Sequence, residues 1–138
     1  MRALLVRPLE DIDPDRLSQI FTGFAAAFNA LAYDLAEVRE TMPSWGEIID
    51  LFFEGDYWGI IEELDSVRQG MAEIAEAAAD IDADMEILLE ELSPETLELF
   101  DGDIRMVDLF AANLETEAEA VAAGAEMIED WLFIALFF

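Results

Sequence analysis

The chain contains no cysteine, no histidine and no lysine. The first absence excludes disulfides and thiolate metal sites. The second removes the imidazole on which Ser-His and Cys-His nucleophile systems depend, and with it the Glu-x-x-His ligands of di-iron bundles. The third leaves six arginines (Arg2, Arg7, Arg16, Arg39, Arg68 and Arg105) as the only basic side chains. Nucleic-acid binding needs a basic surface to displace counterions, and anionic lipid needs a basic patch, so both partners are disfavoured. The seven glycines are scattered and build no phosphate-cradling loop. No stretch approaches the ~20 apolar residues that cross a bilayer. Ala3–Val6 is too short for the apolar region of a signal peptide. These absences point to a non-enzymatic protein without cofactors, soluble in the cytoplasm or carried in a particle (a virion) assembled there.

What is present is acid and apolar bulk. The 138 residues include 33 Asp and Glu for a formal net charge of −27, while 55% are hydrophobic. That is enough apolar material for one domain of ordinary size, 1–138, and argues against wholesale disorder. So much like charge opposes compaction at low salt, whereas near 1 M salt the Debye length falls to about 3 Å and the penalty fades. Abundant Asp and Glu without Lys resembles the composition of proteins from salt-in halophiles, chiefly haloarchaea and their viruses. That resemblance implies a chain that requires high salt to fold. An acidic protein of a mesophile is the plainer alternative.

The apolar residues fall into three long seams. Tyr57, Ile60, Leu64, Val67, Met71, Ile74, Ala78, Ile81, Met85, Leu88 and Leu92 step by three and four without a slip, the heptad signature of helices that wrap one another. Leu17, Phe21, Phe24, Phe28, Leu31, Leu35, Val38 and Met42 form a second seam, opened by Asp13-Pro14 and stopped by Pro43. Val107, Ala111, Leu114, Ala118, Val121, Ala125, Ile128, Leu132 and Ala135 form a third, beginning at Asp103. Phenylalanines on one seam and alanines on another would interdigitate. The expected fold is all-α, an elongated three-helix bundle with long helices at about 14–42, 57–92 and 103–136. Two short helices connect them. One is started by the capping box Ser44–Glu47 and ended by Gly55; the other is started by Ser93-Pro94 and ended by Asp101-Gly102. The short helix from Trp45 to about Glu54 is apolar round most of its girth and is expected to be buried. Residues 1–12 are expected to form an extended arm. Gly59 and Gly70 each weaken the middle helix by about 1 kcal/mol relative to alanine, and a bend at Gly70 is conceivable. The bundle is expected within one chain; pairing of the same seams between chains is the rival.

Few side chains suggest chemistry. Asp80, Asp82, Asp84 and Glu91 occupy positions 1, 3, 5 and 12 of a calcium-loop pattern. However, Met85 stands where the loop's turn needs glycine, and the heptad seam runs straight through. A solvated acidic face is the expected outcome. Among 33 carboxylates, a pair at helical spacing carries no catalytic information.

Two apolar clusters stand out instead. Trp45, Phe52, Phe53, Tyr57 and Trp58 flank a turn, where they either plug one end of the bundle or form a partner patch. Trp131, Leu132, Phe133, Ile134, Ala135, Leu136, Phe137 and Phe138 are eight apolar residues in a row at the end of the sequence. As a helix they span about 12 Å and are apolar on all sides, more than one seam can cover. The expectation is an interface with a protein partner or a second copy; burial against the arm and the Trp45–Glu54 helix, or contact with a membrane surface, are the alternatives. By analogy, this suggests a structural or assembly protein such as a virion or tail component. The rival is an acidic inhibitor or DNA mimic that binds a basic nucleic-acid-binding enzyme.

Overall fold

The computed structural model describes residues 13–138, so the expected arm at 1–12 lies outside the described residues. Among the described residues five helices follow one another: α1 (Pro14–Glu40), α2 (Trp45–Phe53), α3 (Tyr57–Glu90), α4 (Pro94–Leu99) and α5 (Asp101–Phe137). There is no strand among the described residues. The described residues form an all-α bundle of three long helices joined by two short ones.

The helix ends follow from local chemistry. Asp13 accepts the Asp15 N–H at 3.2 Å, and its carbonyl accepts the Leu17 N–H. Beyond Glu40 the last turn tightens, with the Met42 N–H donating to the Arg39 carbonyl, before Pro43 removes the next donor. Ser44 and Ser93 cap α2 and α4, accepting the N–H of Glu47 and Thr96 at 3.2 Å each. Gly55 stops α2 at φ +80°, a backbone region that costs glycine nothing. Asp56 then accepts the Gly59 N–H at 3.0 Å and opens α3.

The join between α4 and α5 differs from the sequence expectation. Asp101-Gly102 is no break; both residues belong to α5, which starts two residues earlier than Asp103. Phe100 makes the turn instead, at φ −102° and ψ 15°. Its N–H closes α4 on Thr96 while its carbonyl accepts the first N–H of α5, from Ile104. Its ring is buried and fixes the corner, so Gly102 is left to continue the helix.

The chain divides into two compact units, and each long helix contributes to both. The first takes residues up to Leu31 together with Glu76–Leu114. Leu17, Phe21, Ala25 and Phe28 from α1 are buried there, with Met85, Leu88 and Leu92, Phe100, and Val107 and Leu114. The Phe21 and Phe100 rings lie 5.9 Å apart. The second unit takes Ala32–Ala75 and Glu115–Phe138. Its core cluster is Ile48 from α2, Ile60 and Leu64 from α3, and Ala125, Ile128 and Leu132 from α5. Met42, Leu51, Phe52, Ile61 and Trp131 pack around it. Of the middle seam only Tyr57 is exposed. Gly70 acquires a packing role: a Cβ there would lie 2.9 Å from the Val38 side chain. Its missing side chain lets α1 and α3 approach within this unit.

Candidate functional site: the apolar segment of the second unit

The third seam decides which residues of the segment 131–138 belong to the fold. Val121, Ala125, Ile128 and Leu132 are consecutive inward positions, and Leu132 is only 5% exposed. Ala135 continues that face and is half-buried. Trp131 sits beside the seam and is claimed by α2: its ring lies edge-on to Trp45 at 5.8 Å and to Phe52 at 5.3 Å. Trp131 and Leu132 are therefore committed within the chain.

The remaining side chains are not. Phe133 is 58%, Phe137 69% and Phe138 97% exposed, and Ile134 and Leu136 are exposed as well. Phe133 and Phe137, one helical turn apart, lie tilted at 40° with centroids 4.9 Å apart and present a joint aromatic flank. No Asp or Glu side chain lies within 131–138; Glu129 and Asp130 immediately precede it.

The five aromatics expected as a patch divide in the same way. Phe52 is half-buried and touches Phe53 at 5.9 Å, Tyr57 at 5.3 Å and Trp131. Trp45 and Tyr57 are exposed to a lesser degree, at 44% and 37%, than Phe53 at 82% and Trp58 at 74%. Helix α2 is thus not buried as its composition suggested. Ile48 alone is fully enclosed, Leu51 and Phe52 lean on the core cluster, and Ile49 and Phe53 point to solvent. A nine-residue helix has only one face to offer this unit's core.

The acidic run at 80–84 lies in uninterrupted helix. At ~100° per residue Asp82 projects from the side opposite Asp80 and Asp84, and Glu91 falls in the turn beyond α3. Met85, at the position a calcium loop reserves for glycine, is buried in the first unit's core. Among the described residues no three His, Cys, Asp or Glu side chains gather as a metal ion would require. Among the same residues no helix is long and apolar enough to cross a membrane.

Three features were not anticipated. Arg68 on α3 pairs with Glu129 on α5, and Arg39 on α1 with Glu117 at 3.7 Å, so two of the few cations tie helices together. A shallow hollow of about 320 Å³ is lined by Arg68, Met71, Ala72, Ala75, Ala122 and Ala125. Small side chains on both helices leave it open, and it holds no nucleophile. Glu63 has one carboxylate oxygen buried without a hydrogen-bond partner. The spacing of alanines on α3 and α5 carried a signal for the hollow; single ion pairs carry none in a sequence.

The chain matches no family model, no curated protein and no solved structure.

Proposed function

We propose that this is a non-enzymatic structural or assembly protein that docks into a larger protein complex through the exposed side chains of 131–138. The observation that carries this is the exposure of Phe133, Ile134, Leu136, Phe137 and Phe138 on an ordered helix, next to core residues that hold it in place. Covering the exposed parts of those five side chains is worth about 5–10 kcal/mol before the entropy cost of association.

The partner this surface fits is a protein with an apolar hollow and arginine or neutral polar groups at its rim. Glu126, Glu129 and Asp130 border the segment and would repel a carboxylate there. The acidic, lysine-free composition supports a halophilic source, where molar salt screens such repulsion, and a virion or tail particle is the kind of assembly that uses small helical parts.

Light scattering in 2 M KCl on the full chain and on a chain ending at Leu132 tests this. Cutting after Leu132 rather than before Trp131 spares the core. Association of the full chain, lost on truncation with helicity retained, supports the proposal. Two well-behaved monomers with no recovered partner would overturn it; a monomer that binds a cationic protein only at low salt would indicate the acidic inhibitor instead.

A further inference from the structure

The carboxylates of α5 within the second unit are not spread evenly. With Leu132 at the centre of the core face and ~100° per residue, Glu115, Glu119, Glu126, Glu129 and Asp130 fall at about 60–160° round the helix. Glu117 lies on the other side, towards Arg39. Between them, at about 180–240°, lie Thr116, Ala120, Ala123, Met127, Ile134 and Phe138. All six are exposed, and none is charged. Their spacing of four, three, four, seven and four follows a heptad stripe on the face opposite the core. In a chain of net charge −27, it is a lane along which another acidic surface can approach.

The stripe is also complementary to itself. In an antiparallel pair with its two-fold axis at Met127, Thr116 lies opposite Phe138, Ala120 opposite Ile134, and Ala123 opposite the outer edge of Trp131. The small half of one stripe meets the large half of the other, while Met127 meets its own counterpart. An isologous interface requires this kind of matching, and large-against-small packing lets the helices close without voids. From Thr116 to Phe138 the stripe runs about 33 Å, so a strip about 15 Å wide covers roughly 500 Å² per copy. The total of about 1,000 Å² stands at the lower bound of a specific interface.

We propose that two copies of this chain pair antiparallel along this stripe of α5. The proposal deepens the docking reading by naming a second copy as an occupant, and it rests on that reading where it uses Ile134 and Phe138. The symmetry also sets the salt response. The flank bearing Glu119, Glu126 and Asp130 meets its own copy, so the pair forms in molar salt and separates as the Debye length grows.

Because the chain has no cysteine, single thiols report the geometry cleanly. In 2 M KCl under mild oxidation, Met127→Cys is expected to give a disulfide-linked dimer of twice the 15.5 kDa chain mass. Glu115→Cys, on the carboxylate side of the helix, gives no disulfide-linked dimer. Adding Ala123→Glu to the Met127→Cys chain slows cross-linking by at least about tenfold, since a carboxylate then enters the contact. Circular dichroism in the same salt checks that each variant is folded. Equal cross-linking of both thiols, or none at Met127→Cys, overturns the pairing. If Met127→Cys stays monomeric while the full chain still associates through 133–138, only the pairing fails. If neither associates, the docking reading fails with it.

Discussion

Replacing Leu132 by alanine and, separately, Phe133 by serine perturbs neighbouring residues that the fold treats in opposite ways. Leu132 is 5% exposed and belongs to the cluster with Ile48, Ile60, Leu64, Ala125 and Ile128. Truncating it loses the transfer free energy of the removed methyl and methine groups and leaves a cavity between α2, α3 and α5. Leucine-to-alanine changes at such sites cost about 2–5 kcal/mol, and the three converging helices leave little room for collapse. Phe133 is more than half exposed, and its ring contact is with Phe137, also exposed. Its loss forfeits an aromatic pair worth about 0.5–1.5 kcal/mol and little else in the monomer. Denaturant unfolding in 2 M KCl, compared at constant m-value, should therefore separate the two variants by at least about 0.5 kcal/mol. Light scattering should rank them the other way, with the Phe133 variant losing association first. Equal destabilisation by both would refute the division of this segment into core and docking residues.

Glycine substitutions report the packing of α1 on α3. Gly70→Ala brings a Cβ to 2.9 Å from a branched valine that cannot swing aside; the overpacking cost of about 1–3 kcal/mol cancels or exceeds the helix-propensity gain of about 1 kcal/mol. Gly23→Ala, with nothing within 4 Å, should stabilise by about 1 kcal/mol, and equal stabilisation at both sites would contradict the close approach. Dialysis from 2 M KCl into 10 mM salt should lower helicity by circular dichroism, because 33 acidic residues are then poorly screened. An unchanged spectrum would argue against dependence on high salt.

The long helices were legible because their seams repeat over many turns, and the caps at Ser44 and Ser93 because side-chain oxygens at helix starts have few other uses. What escaped depended on neighbours. Phe100 takes the corner assigned to Asp101-Gly102 because its ring meets Phe21, a contact across 79 positions of sequence. Helix α2 looked buried because its own residues are apolar, but burial is decided by what lies over each face, and only Ile48 is enclosed. The segment 131–138 read as one apolar block; the seam ending at Leu132 and the rings of Trp45 and Phe52 divide it. The uncharged stripe on α5 was in principle readable from the angular positions of its carboxylates, but its significance appears only once the opposite face is known to be the buried one.

The claim that exposed side chains of the segment 133–138 make this a docking protein is tested most directly by one comparison. It is the molar mass in solution, by light scattering in 2 M KCl, of the full chain and of the chain ending at Leu132. Docking through these residues predicts a mass above 15.5 kDa for the full chain, falling to that of a folded monomer on truncation. Monomers in both cases with no partner recovered, or the same association in both, would contradict it.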